Sequence, residues 1–273
     1  TFSCCVTPWE HTMTEPVAAL EASGIYAAYH RQPVLENVSL TLPQQQWTAI
    51  IGPNGAGKSS LLKLVIGTLV PLRGELKVLG KAPAIQRRAG HIAYMPQQEQ
   101  MEWDFPISVH DTVLTGRFGL MRHAPFWRRL LPQQWANPGH QRTVHAALEA
   151  VDMVDCAARP IADLSGGQKK RVMLARALAQ QASILLLDEP LAGVDPPSEA
   201  LILAALERER SQGRTIIMVT HDLPGARRHA DKVMLINRTL VGMGTPEEML
   251  SDAMLARLAV GAPGSAGGGV CAA

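Results

Sequence analysis

Apolar residues in this chain recur with a period near two in some stretches and near 3.6 in others, and the alternation predicts the elements. Residues 17–29 read as a first extended segment, and Val38, Leu40 and Leu42 alternate with polar neighbours as in a half-buried strand. Trp47–Ile51 reads as a short buried strand. Leu61, Leu62, Val65, Ile66 and Leu69 follow at helical spacing, so a helix from Lys58 is predicted to end near Gly67, with a turn at Pro71 and Gly74. Strands are predicted over 75–79 and 91–95. Ser108 followed by Asp111 predicts a capped short helix. Residues 143–153 form another helix, with Val144, Ala147, Leu148 and Val151 on one face. Helix, strand, helix, strand, helix and strand are then expected over 166–181, 183–187, 196–212, 214–220, 223–230 and 232–237, closed by 246–258. This alternation predicts an α/β fold with a parallel sheet, flanked by antiparallel β-structure from the first strands.

Composition adds limits. A hydrophobic fraction of 47% suits a globular core, and a net charge of +2 is far from that of a dedicated nucleic-acid binder, so no nucleic-acid partner is expected. No apolar run approaches the roughly 18 residues that span a bilayer. Cys4, Cys5, Cys156 and Cys271 have neither metal-ligand nor disulfide-framework spacing, which suits a reducing compartment. Residues 1–16 are expected to be a disordered leader, with Met13 as the natural start, and 259–273 a disordered Gly/Ala-rich tail; 17–258 form a single domain. Between 97 and 162 the composition shifts: Trp103, Phe105, Phe118, Phe126, Trp127 and Trp135 all fall there. This stretch is expected to be a helical subdomain whose aromatics either pack it or line a groove for a partner.

Chemistry enters with Gly52-Pro53-Asn54-Gly55-Ala56-Gly57-Lys58-Ser59, which fits G-x-x-x-x-G-K-[ST] between a strand and a helix; Ser60 follows directly. Glycines let backbone N–H groups curl around phosphate oxygens at a helix N-terminus. Lys58 would reach the β- and γ-phosphates and the Ser59 hydroxyl would ligate Mg²⁺. The strand Ile184-Leu185-Leu186-Leu187 ends in Asp188 and Glu189. Its carboxyl end is where parallel sheets place ligands: Asp188 would hold Mg²⁺, and Glu189 could polarise an attacking water. Leu164-Ser165-Gly166-Gly167-Gln168 opens a basic helix and offers a second anion-binding helix start. One nucleotide does not need two such starts, and a second subunit's nucleotide is a natural ligand for the other.

These residues resemble those of ATP-binding subunits of the ABC transporter family, a P-loop ATPase core with parallel sheet, antiparallel β flank and helical subdomain. The resemblance runs from about Leu20 to Leu258 and implies the remaining roles. Gln97, in Tyr94-Met95-Pro96-Gln97, matches the glutamine that contacts Mg²⁺ and relays nucleotide state. Ser165, Gly166, Gly167 and Gln168 match the signature that contacts the partner's ATP. Asp195 matches the D-loop and could equally cap the following helix. His221 matches the switch histidine on the γ-phosphate. Tyr29, in preference to Tyr26, matches the aromatic that stacks on adenine. The resemblance further implies a head-to-tail homodimer enclosing two ATP molecules. It also implies an integral membrane permease and, indirectly, an extracytoplasmic substrate-binding protein, with this chain peripheral on the cytoplasmic face of the plasma membrane.

Within the family, Trp103-Asp104-Phe105-Pro106 and Gly116-Arg117-Phe118-Gly119 are similar to manganese, zinc and iron importer subunits. That likeness implies import of a divalent metal chosen elsewhere, since no transition-metal ligand cluster is visible here. Another transported substrate, or a soluble non-transport ATPase of the same family, is the alternative. Trp103 and Phe105 would dock a permease helix, and Arg122, Arg128 and Arg129 form a basic face toward solvent or lipid headgroups.

Overall fold

The computed structural model describes residues 17–30, 32–97, 106–121 and 137–260. The leader, the tail beyond 260, and Trp103, Phe105, Arg122, Phe126, Trp127, Arg128, Arg129 and Trp135 lie outside the described residues.

Strands β1 (Leu20–Tyr29), β2 (Gln32–Leu42) and β4 (Arg73–Val78) form an antiparallel sheet in the order β2-β1-β4. The second sheet has six strands. Its order is β5 (Ile92–Met95), β6 (Ile184–Asp188), β7 (Thr215–Val219), β3 (Trp47–Ile51), β8 (Lys232–Asn237) and β9 (Thr239–Gly244). All neighbours in it are parallel except β9, which returns antiparallel to β8.

Period two explains why Ile184–Leu187 of β6 and Ile216–Val219 of β7 read as unbroken apolar runs. Leu185, Leu187, Ile216 and Met218 enter one core with helices α3 (Val109–Thr115), α5 (Pro138–Ala150), α6 (Gly166–Ala179) and α7 (Pro196–Ser211). Ile184, Leu186, Ile217 and Val219 enter another, shared with α1 (Lys58–Ile66) and the antiparallel sheet. A strand covered on both faces has no polar register to show. A third core joins Ala49, Ile51, Val233 and Leu235 to α8 (Leu223–His229), α9 (Pro246–Met249) and α10 (Asp252–Val260).

Several elements depart from expectation. Helix α5 begins at Pro138, five residues before the expected start at 143, because Asn137 caps it by accepting from the Gly139 N–H at 2.8 Å. The apolar face of Val144, Ala147, Leu148 and Val151 is buried as the periodicity implied. Helix α2 (Pro83–Arg88) and strand β9 were not anticipated; the first is only six residues long, and the second is interrupted by Gly242. The closing segment consists of two helices, the first opened by a reciprocal cap between Thr245 and Glu248. Helix α10 runs to Val260, past the expected start of the tail.

Two arginines tie α6 to its helical neighbours. Arg117, just before α4 (Phe118–Met121), donates to the Ala179 carbonyl at 2.7 Å and to Gln181 at 2.9 Å. Arg171 donates to the Val151 and Asp152 carbonyls beyond the end of α5. Ser108 caps α3 by accepting from the Asp111 N–H at 3.0 Å, as its spacing implied. Among the described residues, no helix is long and apolar enough to cross a membrane.

Candidate nucleotide site

Sheet register brings the candidate residues together. Val219 of β7 pairs with Ile50 on one side and Asp188 on the other, so β3, β7 and β6 end side by side. Met95 pairs with Leu187, which sets Gln97, two residues on, beside Glu189. The segments leaving β3, β5, β6 and β7 therefore share one edge, where a parallel sheet exposes its ligand site.

The loop from Gly52 to Gly57 is shaped by contacts only glycine permits at two points. A Cβ on Gly52 would lie 2.1 Å from the Ile236 carbonyl oxygen. Gly57 caps α1 at φ 92, and a Cβ there would lie 2.5 Å from the Val34 carbonyl oxygen. The loop is anchored from behind: Arg238 N–H donates to the Ala56 carbonyl at 2.9 Å, and Glu36 N–H donates to the Arg238 carbonyl at 2.8 Å. Leu61 N–H is bonded to the Gly57 carbonyl at 2.8 Å. The amides of Lys58, Ser59 and Ser60 precede that bond and are not consumed by the helix, leaving them for an anion. Pro53, Asn54 and Gly55 form the turn that leads into this helix start.

Lys58 is buried, with its ammonium donating to the Gly52 carbonyl at 2.8 Å and the Pro53 carbonyl at 3.0 Å. Burial lowers its pKa, opposed by the charges of Glu189 and Asp188. Asp188 is 3% exposed, and burial raises its pKa. A hydrogen bond with Ser59 opposes that rise, Glu189 adds to it, and Lys58 and Lys63 oppose it. Asp188 Oδ1 is buried with no hydrogen-bond partner. An unpartnered carboxylate oxygen next to a serine hydroxyl is a hard oxygen donor set that fits Mg²⁺.

A carboxyl pKa raised by folding means that the folded chain takes up this proton more readily than the unfolded one. The stability it contributes is present below the unfolded value and is lost as pH rises through the folded one. In magnesium-free urea denaturation, the wild-type chain should therefore gain on Asp188→Asn as pH falls from 7 into the ordinary carboxylate range. Identical pH dependence in the two proteins would show that the burial of Asp188 is not the source.

Glu189 occupies a positive φ of 51. Its carboxylate accepts from Gln97 Nε2 at 2.7 Å and from His221 Nε2 at 2.8 Å. The structure thus joins Gln97, Glu189 and His221 in one hydrogen-bonded group beside Asp188, Lys58 and Ser59. Glu189 and His221 also line an open pocket of about 340 Å³ with Leu191, Thr220 and Arg228.

Ser165, Gly166, Gly167 and Gln168 open α6 and are arranged differently. Ser165 and Gln168 close a reciprocal cap, with bonds of 3.3 and 3.0 Å. A Cβ on Gly167 would lie 2.2 Å from Asp195 Oδ1, so the start of α6 packs on the start of α7. Asp195 caps α7 through the Ser198 N–H at 3.1 Å, a bond that holds its carboxyl below its ordinary pKa. The capping role read for Asp195 is therefore the one observed. Ser165 and Gly166 are exposed. The hydrogen bonds of Ser165 run within α6, to Gln168 and to the Lys169 N–H.

Tyr29, at the end of β1, is 37% exposed, as is Tyr26. Lys63 Nζ lies 5.7 Å from the centroid of the Tyr29 ring. Sequence reading missed Lys63, Lys170 and Tyr94. Lys170 donates to the Gln97 carbonyl at 3.2 Å, linking α6 to the segment after β5. The Tyr94 hydroxyl is pushed up to about 12 by burial, then by Asp188 and Tyr29. Its position between Ala93 and Met95 was the available signal, since period two turns it to the α1 side of the sheet.

Comparison with known proteins shows the family. A family model described as ABC transporter matches residues 35–192, which span the phosphate loop, Gln97, Ser165, Asp188 and Glu189. The manganese transport system ATP-binding protein MntB of Halalkalibacterium halodurans is 37% identical over 89% of this chain and 91% of its own. The zinc transport system ATP-binding protein TroB of Treponema pallidum is 38% identical over 83% of this chain and 81% of its own. A solved inward-facing transporter described as of metal-chelate type superposes with TM-score 0.74 at 27% identity, covering 89% of each chain. The chain belongs to the ABC transporter family and carries that family's nucleotide-binding, ATP-hydrolysing domain.

Proposed function

We propose that this chain is the ATP-driven motor of a divalent-metal importer, working as a head-to-tail homodimer on a membrane permease. The observation that carries the catalytic part is the Gln97–Glu189–His221 group beside Lys58, Ser59 and Asp188. Backbone amides at the start of α1 bind the β- and γ-phosphates, and Lys58 leaves the loop carbonyls to join them. Tyr29 stacks on adenine. Asp188, Ser59 and Gln97 hold Mg²⁺, which when bound supplies charge neutralisation at the phosphate oxygens. Glu189 accepts the proton of the attacking water, and His221 holds Glu189 and contacts the γ-phosphate. The exposed Ser165 and Gly166, with Gly167 and Gln168, complete the partner's site and exclude water from it, while Asp195 sits at the same seam.

The metal assignment is supported by relatives named for manganese and zinc transport. The permease and an extracytoplasmic binding protein choose the metal, and the chain sits peripherally at the cytoplasmic face. Phe118 and Leu120 on α4 are 41% and 38% exposed, apolar surface suited to a docked permease helix. Uptake of labelled manganese, zinc and iron in cells lacking this chain tests the reading. Loss of uptake of one of these metals, restored by the wild-type gene and not by Glu189→Gln, is expected. Unchanged uptake of all three would overturn metal import.

A further inference from the structure

Lys63 lies in the last turn of α1, the helix that begins at Lys58 and Ser59, and its Nζ is 5.7 Å from the centroid of the Tyr29 ring. We propose that Lys63 is a positioning residue for the nucleobase: its ammonium covers one face of Tyr29 and leaves the other face to stack on adenine. This rests on the reading that Tyr29 stacks on adenine.

The geometry gives the lysine a defined place from which to act. The backbone at Lys63 is pinned where the helix ends, because its carbonyl accepts from both the Thr68 and the Leu69 N–H groups, at 3.0 and 3.1 Å. Tyr29 sits at the last position of β1, paired with Gln32 across a tight return, and is one-third exposed. Its ring therefore stands at a strand end with part of its surface open, where a neighbouring cation can bear on its orientation. A cation held within about 6 Å of the centroid is attracted to the face of the ring. One helix therefore carries both the phosphate-binding start and the group that orients the base-stacking ring, about one and a half turns apart.

An exposed cation–π contact of ordinary strength corresponds to an affinity change of about two- to fivefold. The test uses the full chain without magnesium, so that nothing is hydrolysed, and titrates ATP and inorganic triphosphate in parallel. Lys63→Met should weaken ATP by that factor and leave triphosphate unchanged. Lys63→Arg should restore ATP affinity, and Lys63→Met should add nothing in a Tyr29→Ala background. Equal weakening of ATP and triphosphate would place Lys63 on the phosphates and overturn the proposal. Tight ATP binding by Lys63→Met, with Tyr29→Ala weakened, would overturn it while leaving the stacking reading intact. Unchanged ATP binding in Tyr29→Ala would instead remove the stacking reading itself.

Discussion

Glu189→Gln is expected to slow ATP turnover by about 10²–10⁴-fold while ATP still binds. The amide keeps the shape of the carboxylate and can still bond Gln97 and His221, which meet Glu189 at 2.7 and 2.8 Å. It cannot take a proton from water. The residues placed around the phosphates, Lys58, Ser59 and Asp188, are untouched by the change. In the proposed dimer mechanism hydrolysis separates the two chains, so the variant should also accumulate as an ATP-bound dimer. Steady-state phosphate release with size-exclusion chromatography in MgATP reads both effects. Turnover at the wild-type rate would remove Glu189 as the base.

Ser165→Arg is expected to abolish the ATP-dependent dimer and to reduce turnover by about 10²–10³-fold, the scale of losing preorganised donors at a reacting phosphate. Ser165 is exposed, and its hydroxyl accepts the Gln168 N–H at 3.3 Å as the cap of α6. Losing that cap costs about 1 kcal/mol, small against a fold stability of roughly 5–15 kcal/mol. The chain should stay folded and bind ATP as a monomer, because the hydrogen bonds of Ser165 run within α6. The arginine would fill the space into which the partner's γ-phosphate must fit. ATP-induced dimers that persist in this variant would refute the role across subunits.

The parts of this molecule most readable from its residues are those where one local rule dominates. The phosphate loop, the buried strand β6 and the caps at Ser108, Ser165 and Asp195 each follow from a few adjacent side chains. What stayed hidden depends on distant contacts. Strand β9 contains Gly242 and Gly244, poor strand residues alone, and forms because β8 offers an edge to pair with. Helix α5 starts early because Asn137 caps a polar first turn that shows no apolar period. The tether from Glu36 through Arg238 to Ala56 joins three segments far apart in the chain. Lys63 and Lys170 carry no motif; only the packing of α1 and α6 reveals their partners.

The central claim, that each ATP site is built from the loop of one chain and the signature of another, is tested most directly by mixing two inactive proteins. Lys58→Ala removes the loop lysine and Ser165→Arg blocks the signature. A mixed dimer would pair the intact loop of the Ser165→Arg chain with the intact signature of the Lys58→Ala chain. Measured as phosphate release, the account predicts that each variant alone is nearly inert and that the mixture regains activity. A mixture as inactive as its components, with mixed dimers demonstrably formed, would contradict it.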